Sequence, residues 1–196
     1  MSELKTKKEK LEEFKTLLQN WNRTHNLISK KESSNLDEHI NDSLTIIPFL
    51  NQTIIDMGSG GGLPGLPIAI TDPQKQVYLV ESSQKKSSFL FHAINKLSLK
   101  NTIVINERIE LIDPLSLEGP FQIISRAFGT TNSAIRAAKR FLETRGSSLE
   151  LMKTSPFEEG EKIHKGYVLI KKQKIDLKGK DKGRLLVTIK REREKK

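Results

Sequence analysis

The sequence predicts an α/β protein: a mostly parallel β-sheet covered by helices, preceded by a helical cap and finished by an antiparallel strand pair. Three observations carry this. Between residues 53 and 152, short apolar runs alternate with amphipathic helical stretches, as strand–helix–strand units require. The first of these runs, residues 53–57, leads directly into Gly58-Ser59-Gly60-Gly61-Gly62. Near the end, residues 167–170 and 185–189 are β-rich, and the polar segment between them, with Gly179 and Gly183, leaves no room for a crossover helix.

Taken in order, Leu11, Phe14, Leu17, Leu18 and Trp21 recur at three- and four-residue steps and make one apolar stripe of a first helix. Residues 22–35 read as a polar connection. Ser33 or Ser34 then caps a second helix with Leu36, Ile40, Leu44 and Ile47 on one face, ending near Pro48. These residues, 1–50, form the cap, and residues 51–196 form the core, the two making one structural unit. In the core, strands are expected at 53–57, 76–81, 102–106, 121–125 and 148–152. Helices are expected near 63–71, at 84–97 with Phe89, Leu90, Ala93, Ile94 and Leu97 inward, and at 132–144 with Ala134, Ile135, Ala138, Phe141 and Leu142 inward.

Composition narrows the chemistry. The 196 residues include no cysteine, which excludes disulfides, thiolate metal sites and a cysteine nucleophile. The four histidines, at 25, 39, 92 and 164, show no ligand spacing, and no metal is expected. No apolar run approaches the roughly 20 residues of a membrane span, and the first residues lack a signal-peptide core, so a cytoplasmic protein without a membrane partner is expected. The chain carries 34 Lys and Arg against 24 Asp and Glu. Residues 161–196 hold 14 of the former and 5 of the latter, so nearly all of the +10 net charge sits there. A clustered basic segment suits a polyanion such as nucleic acid, or serves as a solubilising tail.

The stretch from Asp56 to Gly65 is the most informative. Four glycines in five residues keep the end of the first strand open to a ligand, and positive φ is costly for other residues. In open α/β sheets, ligands bind beyond the carboxyl ends of the strands. Glu81, at the end of the second strand, can accept hydrogen bonds from both hydroxyls of a ribose. A nicotinamide dinucleotide would use a similar layout, but the G-x-G-x-x-G match at Gly60, Gly62 and Gly65 is out of register with the strand. Pro64 and Pro67 also suit a pyrophosphate-binding helix start poorly. An acid before G-x-G-x-G, followed by a strand-end acid, better matches S-adenosyl-L-methionine, which has no phosphate.

Further motifs follow in order: Trp21-Asn22 with Asn26-Leu27; His39-Ile40-Asn41-Asp42-Ser43; Gly62-Leu63-Pro64-Gly65-Leu66-Pro67; Glu81-Ser82 with Lys85-Lys86 and Phe89-Leu90; Arg108-Ile109-Glu110; and Ser125-Arg126-Ala127-Phe128. On these, from about Leu11 to Ile189, the chain resembles the glucose-inhibited division protein B family, the bacterial 16S ribosomal RNA guanine-N7 methyltransferases. The resemblance implies the class I S-adenosylmethionine-dependent methyltransferase fold, which is Rossmann-like. It also implies S-adenosyl-L-methionine as cofactor, 16S ribosomal RNA or a small ribosomal subunit particle as partner, and position 527 of that RNA as target. By resemblance, Gly58, Gly60 and Leu63 line the cofactor pocket, Glu81 is the acidic residue of the second strand, Ile109 and Glu110 flank the adenine, and Arg126 lies at the cofactor and RNA side. The chain departs from the family at Gln122, where many members have Asp, and at Thr154, where glycine is usual. A monomer is expected.

The residues also bear on which atom is methylated. Without cysteine, the covalent route to a pyrimidine C5 is closed. Residues 125–128 are not the Asn/Asp-Pro-Pro-aromatic loop used for exocyclic amines, nor do they carry the Asp of a ribose 2′-hydroxyl transferase. An acceptor without a proton remains, and guanine N7 is one. Catalysis would then be mostly positioning, and Arg126, which must avoid the developing positive charge, would hold a phosphate or the cofactor carboxylate. His39, Asp42 and Ser43 share a helix turn and could tie the cap to the sheet, form a wall of the substrate pocket, or imitate a hydrolytic triad. Asn26 could order its loop or read a guanine edge. Methylation of another RNA or of a protein stays open, as does a non-catalytic RNA-binding or ribosome-assembly factor, although the intact glycine loop argues against the latter.

Overall fold

The computed structural model describes residues 5–126, 128–154, 163–175 and 183–192; Ala127 and Gly179, named above, lie outside the described residues. Helix α1 (Lys7–His25) starts with a capping box between Thr6 and Glu9 and ends at Asn26 in the left-handed region, φ 49°. The amide that orders the turn is that of Asn22, whose Oδ1 accepts the Ile28 N–H at 2.9 Å. Phe14 and Leu18 are fully buried on the predicted stripe, and Leu11, Leu17 and Trp21 pack around them.

The expected polar connection at 22–35 is wrong in two respects. Helix α1 runs into it, and a short helix α2 (Lys30–Ser34) occupies its end. Neither Ser33 nor Ser34 is the cap. Ser29 caps α2, with Glu32 reaching back to its N–H, a Ser-x-x-Glu box read over in the sequence because the helix it opens has no apolar face. Helix α3 (Leu36–Leu44) then follows from Asn35 without a side-chain cap, burying Leu36 and Ile40.

The core strands are β1 (Thr53–Met57), β2 (Gln76–Val80), β3 (Thr102–Ile105), β4 (Gln122–Arg126), β5 (Ser148–Thr154), β6 (Tyr167–Ile175) and β7 (Arg184–Arg191). The intervening helices are α4 (Gly65–Thr71), α5 (Gln84–Lys96), α6 (Thr131–Ala137) and α7 (Lys139–Glu143). The helix expected over 132–144 is thus two short ones, broken at Ala138, and α4 begins only at Gly65 because residues 58–64 are used in the turn.

The strands order as β3-β2-β1-β4-β5-β7-β6. Strands β1 to β5 are parallel, and β7 is antiparallel to both β5 and β6, as the missing crossover predicted. Period-two alternation sends Ile54, Val77, Leu79, Ile124, Met152 and Leu186 into one layer with α1, α3, α4 and α5. Ile55, Met57, Val80, Ile123, Leu151 and Val187 enter the other layer with α6 and α7. Each such side chain, fully buried, contributes roughly 1.5–3 kcal/mol. Strand order reverses between β1 and β4, so the crevice beyond their carboxyl ends is where this topology places a ligand.

Two polar contacts fix the frame. Asp56, 1% exposed, accepts the Gly65 N–H at 3.0 Å and so ties the end of β1 to the start of α4. Burial pushes its carboxyl up to about 7, with the Gly65 bond opposing, and its Oδ1 has no hydrogen-bond partner. Asp42 of α3, 3% exposed, pairs through both oxygens with Arg184 of β7: Nε donates to Oδ1 at 2.8 Å and Nη2 to Oδ2. The cap is thereby anchored to a strand 142 residues later.

Arg184→Met leaves the Asp42 carboxylate buried and unpaired, so it should lower stability by about 3–5 kcal/mol in urea unfolding, while Asp42→Leu combined with Arg184→Met should recover most of that loss. Asp56 gives a pH test. Its folded pKa, about 7, lies above the roughly 3.9 of the unfolded chain, so the folded state holds a proton that the unfolded state releases between those values. Its contribution to stability should fall as pH rises from about 4 to about 7, and Asp56→Asn should remove that part of the pH slope.

Candidate functional site

At the carboxyl end of β1 the chain turns under tight constraint. Gly58 and Ser59 both donate their N–H to Val80 O, at 2.9 and 3.1 Å, which lays the loop across β2. Gly58, Gly60 and Gly62 have φ of 75°, 56° and 85°, the region glycine adopts at no steric cost. The four glycines do not all serve a ligand, as the sequence alone suggested. A Cβ on Gly61 would stand 2.7 Å from Ile28 and 3.1 Å from Leu18, and one on Gly62 2.4 Å from Leu66. Those two positions are glycine because the cap and α4 pack on them. A Cβ on Gly60 would meet nothing nearer than Gly58 O at 3.8 Å, so open space remains above that residue.

Glu81 follows β2 and is 7% exposed. Its Oε2 accepts the Gly60 N–H at 2.9 Å and its Oε1 the Ser83 N–H at 2.8 Å, while Ser87 Oγ and Asn106 Nδ2 brace its carbonyl. Each carboxylate oxygen keeps a second acceptor position. A group with two adjacent hydroxyls can use both, so the residues present fit the ribose of S-adenosylmethionine. Ile109, after β3, is buried in the same layer as Met57 and Val80, whereas Glu110 beside it is exposed. Leu63 is 5% exposed and belongs to the layer under α1 and α5, so it supports the loop from beneath. Gly58, Gly60 and Glu81 therefore meet at one edge of the sheet, whereas Ile109 is buried in the layer of α6 and α7.

Arg126 ends β4 on the far side of this crevice. Its side chain is 11% exposed; Nη2 donates to Glu32 Oε1 of α2 at 3.4 Å, and Nη1 is buried with no partner. Burial lowers its pKa, with Glu32 and Asp42 opposing. Glu32 is pushed up by burial, but the Ser29 hydrogen bonds and the Arg126 charge outweigh this and hold it below the ordinary range. His39 is lowered by burial and by the Arg126 charge. A cavity of about 230 Å³ opens beside Arg126, lined also by Ser125, Phe128, Gly129, Lys153 and Arg184. The Phe128 ring lies 3.4 Å from where a Cβ on Gly58 would stand, joining the cavity to the glycine loop.

His39, Asp42 and Ser43 do not converge. Asp42 turns to Arg184, and Ser43 Oγ donates to His39 O of its own helix at 2.7 Å, so the hydrolytic reading fails, and of the three it is Asp42 that ties the cap to the sheet. His25 and His92 pack against Trp21 at 5.1 and 5.4 Å. Among the described residues no three His, Asp or Glu side chains cluster as metal ligands, and no helix is long and apolar enough to cross a membrane.

Sequence reasoning missed Glu32 and Arg184. The Ser-x-x-Glu spacing could have marked Glu32; nothing local marks Arg184, whose partner comes from another layer.

Comparison with known proteins gives a consistent result. Ribosomal RNA small subunit methyltransferase G of Chromobacterium violaceum is 33% identical over 185 residues, covering 92% of this chain and 87% of that protein. That of Hydrogenovibrio crunogenus is 38% identical over 139 residues, 70% of this chain, and the match spans 63% of that relative. Among solved structures, magnesium protoporphyrin IX methyltransferase of Synechocystis PCC 6803 with bound SAM superposes with a TM-score of 0.56 at 13% identity, covering 90% of this chain and 97% of that one. TYW2 of M. jannaschii in complex with AdoMet gives 0.51 at 17% identity, covering 79% and 76%. These two establish a shared class I methyltransferase fold. The sequence model of one family extends over residues 7–187, nearly every element described above, and the chain belongs to that family, rRNA small subunit methyltransferase G.

Proposed function

We propose that this chain methylates N7 of a guanine in 16S ribosomal RNA, in the cytoplasm, acting on the RNA or on a small-subunit particle. Methylation of ribosomal RNA from S-adenosylmethionine follows from the family. The N7 specificity goes beyond it, and one observation supports it. The cavity that adjoins the glycine loop is lined by Arg126, Arg184, Lys153 and Phe128 and by no carboxylate or imidazole among the described residues. Transfer to an amine or hydroxyl must dispose of a proton and is helped by a base within hydrogen-bond reach. Guanine N7 presents a free lone pair and needs none.

When bound, S-adenosylmethionine supplies a methyl group on a sulfonium sulfur for in-line transfer to the acceptor. This chain's residues then have positioning roles. We assign Glu81 to the ribose hydroxyls, Gly58 and Gly60 to the space above the loop, and Leu63 to its support. Ile109 and Glu110 flank the adenine. Phe128 offers a ring face to the guanine. Arg126 is the positioning residue: Glu32 fixes one end of its guanidinium, and the unpartnered Nη1 is left for a phosphate or the cofactor carboxylate. Asp42 keeps Arg184 turned toward the cap, so that cation stays off the transferred methyl.

Small ribosomal subunits from a strain lacking the protein, incubated with it and labelled cofactor, should acquire one label that maps to N7 of a guanine in 16S RNA. A label on a ribose, an exocyclic amine or a protein would overturn the N7 reading. Glu81→Gln should weaken cofactor binding by calorimetry about 10- to 100-fold, the scale of charge-assisted hydrogen bonds worth about 1.5–3 kcal/mol. Arg126→Ala should reduce turnover at least tenfold and cofactor affinity far less, with a lowered melting temperature from the lost Glu32 pair, and Arg126→Lys should restore the melting temperature more than the turnover because it keeps the charge but lacks the planar fork.

A further inference from the structure

A second, larger cavity lies elsewhere. It has a volume of about 310 Å³ and sits on the sheet face that α3 and α4 cover, but over the amino ends of β4 and β5. Gln122 and Ser148, the first residues of those strands, line it, whereas the crevice described above lies beyond the last. The separation is about 17 Å along five residues of strand. Among the described residues, no residue of an α-helix lines it; its walls are strands and the segment at Phe49 and Asn51.

Its floor and rim have opposite character. The floor is Glu150, 2% exposed, which accepts Gln122 Nε2 at 3.1 Å and Ser148 Oγ at 3.0 Å on Oε1, and Thr188 Oγ1 at 2.6 Å on Oε2. Oε2 therefore keeps an acceptor position. The rim carries Lys171 and Lys190, both exposed, and two apolar groups that a folded monomer does not need outside: Phe49, 38% exposed, and Ile170, 55% exposed. Ile170 is the extra residue of a bulge in β6, between Leu169 and Lys171, and bulges re-aim side chains. Lys171 Nζ stands 5.7 Å from the Phe49 ring centre.

A buried acceptor at the bottom, an aromatic face at the side and cations at the mouth match the three parts of one nucleotide: the N–H edge of a base, its π face and its phosphate. We propose that this groove binds a nucleotide of the RNA substrate away from the methylated base, a second foothold on the same RNA. The proposal rests on the RNA-methylating reading above. Charge complementarity favours a segment of polymer over a free nucleotide. Lys171 and Lys190 stand on the groove's own face of β6 and β7, whereas Lys174 and Arg191 alternate to the other face, so the two rim lysines meet two phosphates of a continuous strand.

The test uses the full-length protein with Lys171→Gln and Lys190→Gln combined, both exposed and remote from the crevice. Binding to naked 16S RNA and to small subunits is measured across a salt series, with cofactor affinity alongside. For two lost contacts to single-stranded phosphate, the slope of log affinity against log salt should fall by about 1.4, and RNA affinity at low salt should drop several-fold. Cofactor affinity should not change. Phe49→Ala should weaken RNA binding while leaving that slope intact, since stacking is not ionic. An unchanged slope and affinity in the double lysine variant, with wild type that methylates the RNA, overturns the groove alone. Guanosine or adenosine monophosphate competing for the groove as tightly as RNA overturns the polymer assignment. Wild type that neither binds nor methylates the RNA overturns the methylation reading, and the groove with it.

Discussion

Everything in this fold depends on how closely side chains from the neighbouring elements can approach the backbone at the carboxyl end of β1. Gly65 has to sit against Asp56 and Leu79, where a Cβ would come within 2.5 Å of both. Gly61 has to accept Leu18 and Ile28 from the cap, and Gly62 the Leu66 side chain of the following helix. Three packing demands from three elements meet in one short turn, and only a residue without a side chain satisfies each. The open space at Gly60 is what remains after those demands are met. A cofactor crevice therefore results from the same constraint that holds helix, sheet and cap together.

The cap is part of the site for an electrostatic reason. Arg126 and Arg184 approach from adjacent parts of the sheet, and neither guanidinium would be tolerated so far from water unpaired. Glu32 and Asp42, from two successive cap helices, neutralise them in turn. The pairs also orient the forks. Each arginine is held at one end by the cap and lines the cavity at the other, which gives rigid cations without a mobile side chain to immobilise at each encounter. Carboxylates that might have served as general bases are committed to these pairs. A methyl transfer that releases no proton from its acceptor suits such a site.

Charge and shape divide the work between the two ends of the sheet. The glycine loop leaves open space at Gly60, and Glu81 presents a carboxylate fixed by two backbone N–H groups, suited to a small cationic ligand with a ribose. The β6–β7 pair carries basic residues, with its lysines facing outward, while β7 sends Leu185, Leu186, Val187 and Ile189 into the core. Antiparallel strands at the edge of a parallel sheet need no crossover helix, so among the described residues they leave a sheet face uncovered. That uncovered face is the groove with Glu150 at its floor.

Much of this was legible in the sequence. Period-two and period-3.6 patterns fix strands and helices because burial is one-sided, and the strand-loop-acid order from Asp56 to Glu81 fixes the crevice because sheet topology puts both at the same edge. The polar gap before residue 185 was enough to make the last strands antiparallel. What the sequence could not decide were relations between distant polar residues: Asp42 with Arg184, Glu32 with Arg126, Glu150 with Thr188 and Gln122. Hydrophobic burial repeats along the chain and leaves a period to read. A hydrogen bond between side chains many residues apart leaves none, since its partners are chosen by where the layers meet. For the same reason the glycines looked alike in sequence, and only packing separated those that admit the cap from the one that leaves room for a ligand.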